Sequence, residues 1–143
     1  MINRGLAITT AVLLFVLAFG GFLGGFALLA DPTGAMVGFQ DDMIDQLPVD
    51  SYTLPAVFLV IVFGMIPTYL GLHLSRTFFV PMSLKWQSIF VIALSCVLCV
   101  WISVQLWLIG WGHYMQTLTV IHAILLLGCG LAMYYLEPTS SED

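Results

Sequence analysis

The sequence predicts an all-α membrane protein, a four-transmembrane-helix bundle running up-down-up-down with an acidic extracytoplasmic cap between helices 1 and 2. Three observations predict it. The chain has 143 residues, of which 61% are hydrophobic and 8% charged, and its mean hydropathy is +1.07. A soluble domain averages about 25% charged residues, so lipid has to cover most of this surface. The apolar residues fall into four runs of membrane-crossing length, about 20 residues each. Five of the eight acidic residues collect in one connecting stretch and the three basic ones lie outside it.

The first span is residues 6–30. It is too long for the apolar region of a cleaved signal peptide, and Leu28 is a poor residue three before a cut, so the segment is expected to stay in the protein. Its FGGFLGGF stretch sets Gly20 four residues from Gly24 and Gly21 four from Gly25. Small residues at that spacing let helix backbones approach closely. They are assigned to helix packing, within the chain first and between copies second.

Residues 31–54 form the one long polar loop, with Asp31, Asp41, Asp42, Asp45 and Asp50 and no Lys or Arg. Asp41 can cap a short helix that Pro48 stops near Leu47. No D-x-D-x-D-G pattern supports a cation site there, so the loop reads as a solvated cap. The second span, residues 55–74, begins on Pro55, suited to a first helical turn. Pro67 near mid-span cannot donate to the Phe63 carbonyl, and a kink is expected, with Thr68 or a neighbouring helix satisfying the freed group. His73 ends this span, where it reads as an interfacial residue in reach of water.

A short loop, residues 75–86, brings Arg76, Lys85 and Trp86 to the interface. The third span is 87–109, residues 110–115 turn the chain, and the fourth span is 116–136. With four spans, Arg4, Arg76 and Lys85 share one side, and the positive-inside rule makes it the cytoplasm, along with both termini. Trp86 then marks the inner interface and Trp107 and Trp111 the outer one. The whole chain is one membrane domain, residues 1–143.

The polar side chains inside the spans narrow the chemistry. Gln105 shares a helix stripe with Leu94, Leu98 and Trp101, and His122 with Thr119, Leu126 and Cys129. Both sit roughly 8–9 Å below the outer surface, where they could bond to each other. They either join two helices or line an outer-leaflet pocket for a small lipophilic molecule, lipid or quinone-like. That candidate ligand-binding set is Trp101, Gln105, Trp107, His113, Gln116 and His122. His73 and His122 lie at different depths, which excludes them as a haem pair, and His113 could approach His122 only as an exposed pair, so no haem is expected. Cys96 and Cys99 have C-x-x-C spacing, but at mid-membrane and without a second pair they read as small side chains rather than a redox centre. Residues 6–30 hold no Asp or Glu, which removes the usual carrier for coupled proton transport. No cofactor, metal or catalytic residue is expected. Three basic residues give no phosphate-binding surface, so no nucleic acid is expected as a partner.

DPTGAMVGF, a short Asp-rich helix, LPAVFLVIVFG and later WISVQLWLIG carry a likeness over about residues 31–130. On these stretches the chain resembles a group of small, largely uncharacterised prokaryotic four-helix integral membrane proteins. The resemblance implies four helices, an outside loop and the cytoplasmic (inner) membrane, and brings no activity. The functional expectation is a non-enzymatic accessory or structural protein. Its partners would be the lipid bilayer and a homo-oligomer or hetero-complex with other membrane proteins. Binding or transport of a small lipophilic molecule is the alternative.

Overall fold

A computed structural model describes residues 4–39, 50–75, 83–112 and 114–136. The expected short helix at 41–47, Arg76, His113 and the polar tail lie outside the described residues. All regular structure among the described residues is helical, in the order α1 (Arg4–Ala30), a 3-10 turn (Ala35–Val37), α2 (Thr53–Phe58), a π-helical segment (Leu59–Met65), α3 (Ile66–Leu74), α4 (Leu84–Ile109) and α5 (Tyr114–Tyr135). The segments from Thr53 to Leu74 form one span, giving four helices long and apolar enough to cross a membrane.

α1 packs along the whole second span and also against α5, while α4 and α5 pair closely. The register between α1 and the second span is set by glycine. Gly25 lies against Ala56 and Val60, Gly21 against the backbone of Phe63, and Gly71 against Phe15. As numbers rise along α1 they fall along its partner. Gly130 of α5 likewise meets Val91 and Ile92 of α4. Between these seams lies one core of Leu14, Phe63, Leu70, Val91, Leu98, Leu126 and Met133.

The second span is disrupted just before Pro67, where the expected kink residue meets a π-helical segment. A proline without an N–H, whose ring crowds the carbonyl four residues back, disrupts an α-turn. The chain responds by widening beforehand: the N–H of Ile66 donates to the carbonyl of Ile61, five residues back. Thr68 or a neighbouring helix was expected to serve the freed Phe63 carbonyl. The Thr68 hydroxyl instead donates to Gly64, at 2.8 Å, and the Phe63 carbonyl is turned toward Gly21. A π-segment inside an α-helix is rare and often marks a functional or strained place.

Helix boundaries shift by two or three residues from the sequence reading. Lys85 and Trp86 belong to the first turn of α4 rather than to the loop, because Ser83 is extended (φ −60°, ψ 148°) and the helix begins directly after it. His73 is corrected more substantially. It is buried, 8% exposed, with its ring 4.4 Å from that of Tyr69. It sits beside the enclosed Leu70 and Leu74, so the last turn of α3 is covered by the bundle rather than open to water.

The described part of the polar loop is a tight structure built on Asp31. Its carboxylate accepts from the Thr33 hydroxyl (2.6 Å), the Thr33 N–H (3.2 Å) and the Met36 N–H (2.8 Å). Tyr52 N–H donates to Pro32 (3.1 Å), tying the loop's two ends, and Phe39 packs on the Tyr52 ring at 5.0 Å. A small second core of Leu28, Tyr52 and Ala56 lies beneath. The Thr33 hydroxyl and then the Met36 N–H hold the Asp31 carboxyl below its ordinary value of 3.8. A depressed acid stabilises the fold above its unfolded pKa, and that contribution is lost as pH falls through the folded one. The Thr33 and Met36 amides are therefore expected to exchange more slowly than their intrinsic rates at neutral pH, and to lose that protection as pH falls through the folded pKa, below 3.8. In Asp31→Ala the protection should be absent throughout. A Met36 amide equally protected in both proteins would refute the role.

Candidate functional site

The turn between α4 and α5 is built by Gly110 and Gln116. Gly110 takes φ 70°, a conformation that ends α4 and that a side chain would strain. Gln116 is 4% exposed. Its Nε2 donates to the Gly110 carbonyl (3.0 Å) and its Oε1 accepts from the Gly112 N–H (3.1 Å). Both ends of the amide are thus spent on the backbone of the turn. Gln116→Glu keeps the acceptor and loses the donor, and Gln116→Leu loses both. The expected order of stability is wild type, then Glu, then Leu. Each lost bond is worth about 1 kcal/mol, measurable by denaturant titration in detergent micelles.

The remaining candidate residues have separate neighbours. Trp101 stacks on Phe58 (4.9 Å, 22° between planes) and meets the edge of Phe63 (6.1 Å, 63°), so it belongs to the packing between α4 and the second span. Trp107 is 83% exposed and points away from the bundle. With Cys99, Val100, Ser103 and Val104 it borders a shallow apolar groove on the outer side of α4. Gln105 is half-buried, one turn beyond Trp101.

His122 does not bond to Gln105. Its imidazole faces the backbone of Leu13 in α1, and its Nε2 is enclosed without a partner. Sequence reasoning chose a residue with a distinctive environment, and a backbone neighbour on another helix leaves no mark in the pattern of side chains. Of the glycines, Gly21 and Gly25 carry the close helix contact, whereas nothing comes within 4 Å of a Cβ placed on Gly20, and Gly24 meets only Leu59 at 3.8 Å.

Several hydroxyls in the spans are turned back on their own helices. Thr10 donates to Leu6, Ser95 to Val91, Ser103 to Cys99 and Thr119 to Met115, at 2.7–2.8 Å. Cys96 is exposed and Cys99 partly so, and both are free thiols. Among the described residues no three His, Cys, Asp or Glu side chains gather as a metal site would need.

Fold and side chains together define an all-helical chain with four helices able to cross a membrane and with its internal polar groups used mostly for its own backbone. No protein family, curated protein or solved structure matches it.

Proposed function

We propose that this protein is a non-enzymatic, multi-pass component of a prokaryotic cytoplasmic membrane, acting as an accessory or structural element within a larger membrane assembly. The observation that carries the reading is where the polar groups are spent. Gln116 clamps a turn, and the hydroxyls of Thr10, Thr68, Ser95, Ser103 and Thr119 each satisfy a carbonyl of their own helix. Side chains committed in this way build a stable helix bundle and leave little with which to bind or activate a substrate. Meanwhile α4 presents Trp86, Phe90, Val97, Val100, Val104 and Trp107 outward. Aromatic anchors of this kind suit contacts with a neighbouring span as well as with lipid.

The arrangement in the membrane is up-down-up-down, with Arg4, Arg76 and Lys85 on the cytoplasmic side and the Asp-rich loop as an acidic cap outside. The reversed register between α1 and the second span, and the tight turn that returns α5 along α4, support it. This reading agrees with the resemblance of its motifs to small prokaryotic four-helix membrane proteins. Native mass spectrometry after mild extraction from the source membrane tests the function. A hetero-complex containing this chain is the expected result. A lone monomer or dimer recovered under conditions that keep known membrane complexes intact would overturn it.

A further inference from the structure

We propose that the outward faces of α4 and α5 are the lipid-facing side of this protein, and that aromatic rings at their ends clasp the two headgroup layers of a bilayer whose hydrocarbon is about 30 Å thick.

On α4 the large outward residues form one stripe. Trp86, Phe90, Val97, Val100, Val104 and Trp107 are all exposed. At 3.6 residues per turn they fall within an arc of about 100°. α5 repeats the pattern. Tyr114, Leu118, Ile121, Leu125 and Tyr135 are exposed and share an arc of about the same width. Each stripe therefore opens and closes on a ring that carries a polar atom, with bulky apolar residues between. The two rings of each pair stand about 32 Å apart along the helix. Two helices running in opposite directions thus give the same spacing, and it matches the hydrocarbon thickness of a bilayer.

The chemistry of the ends fits lipid. Trp and Tyr keep the ring body in the apolar layer while the N–H or O–H reaches ester and phosphate oxygens. Trp111, exposed in the turn, joins Trp107 and Tyr114 at their end. Charge agrees as well. Lys85 is the one charged residue from Leu84 to Leu136. It stands beside Trp86, and its sign suits the lipid phosphates.

α1 shows the contrast. Its outward Val12, Val16, Phe19 and Leu23 are equally apolar, but residues 4–30 hold no Trp or Tyr. An exposed apolar face alone does not tell lipid from a protein neighbour. Rings paired at both ends, at one spacing on two helices, do. The proposal rests on the membrane-spanning part of the proposed function and not on the assembly.

The test uses the full chain labelled with 5-fluorotryptophan in dioleoyl phosphatidylcholine nanodiscs. Added nitroxide lipids carry the spin label either near the headgroup or near the chain end. The Trp86 and Trp107 fluorine signals are assigned by their loss in Trp86→Phe and Trp107→Phe. Both are expected to broaden severalfold more with the headgroup-side label. In vesicles, the thermal unfolding midpoint should be higher in dioleoyl phosphatidylcholine than in the shorter dimyristoleoyl or the longer dierucoyl lipid, since mismatch in either direction has a cost. A ring insensitive to both labels is covered by protein and overturns the proposal. So does a ring broadened more by the chain-end label, or a midpoint that rises or falls steadily along the lipid series. A chain that does not enter the nanodisc defeats the membrane reading and the proposal together, whereas the other failures leave that reading standing.

Discussion

Gly21→Ala is expected to destabilise the protein by about 2–3 kcal/mol, while Gly20→Ala, one residue away in the same helix, leaves stability unchanged or slightly raised. Both variants add one methyl and exchange the same residue types, so helix propensity cancels between them; alone it would favour Ala by about 1 kcal/mol. They differ in what the methyl meets. At Gly20 there is nothing within 4 Å. At Gly21 the new carbon would run into the carbonyl of Phe63, with the Gly64 nitrogen 2.7 Å away. These are backbone atoms, which cannot rotate aside as a side chain end can. They also belong to the π-segment, already adjusted to Pro67. Overpacking of this kind typically costs 1–3 kcal/mol, and a rigid obstacle places it near the top of that range. Gly25→Ala should fall between, since its first obstacle is a Val60 methyl at 2.5 Å, backed by the Ala56 carbonyl at 3.0 Å. Reversible unfolding of the three variants in mixed micelles would measure the series. Equal stability for Gly20→Ala and Gly21→Ala would refute the assignment of this seam.

The contrast shows what the sequence could and could not say. FGGFLGGF announces a close helix contact, but it holds two glycine pairs 100° apart on the helix, and nothing local selects between them. The choice is made by the second span, whose Phe63 carbonyl is turned outward because Pro67 follows it. Four apolar runs and their order were legible because span length and hydropathy are properties of single segments. The π-helix was not, because the proline announces a disrupted turn without saying how the turn before it will be rebuilt. Helix ends moved by a few residues for a similar reason. Lys85 and Trp86 look like loop or interface residues by type, yet both are good enough helix formers to continue α4 back to Leu84.

The candidate residues were legible as unusual but not in their roles. Gln116 follows Gly110 by six residues and Gly112 by four, a spacing that could have pointed to a clamped turn. Trp101 was set among the ligand-lining candidates, yet it shares a stripe with Leu94 and Leu98 and packs against the core they belong to. His122 was paired with Gln105 by an estimate of depth, and depth alone does not determine which helices are neighbours. α5 contacts α1 as well as α4, and the imidazole turns to α1.

Phe63→Ala is the second substitution with a large expected effect, about 2–3 kcal/mol. Phe63 is 2% exposed and sits at the centre of an aromatic group, edge-on to Phe58 at 5.5 Å and to Trp101 at 6.1 Å. In a water-soluble core the same truncation costs about 3–5 kcal/mol, part of it the transfer of the ring from water. Between membrane helices that part is missing, because lipid tails are as apolar as the core. What remains is the cavity and the loss of two aromatic contacts, each worth about 0.5–1.5 kcal/mol. Phe19→Ala supplies the control. Phe19 is 69% exposed, its ring is replaced by lipid, and stability should change by less than about 0.5 kcal/mol. The two residues then separate the two kinds of apolar surface on this chain. Loss at Phe63 weakens the bundle wherever it is measured. A loss at Phe19 that appears in native membranes and vanishes in purified protein would place a partner helix on that face of α1.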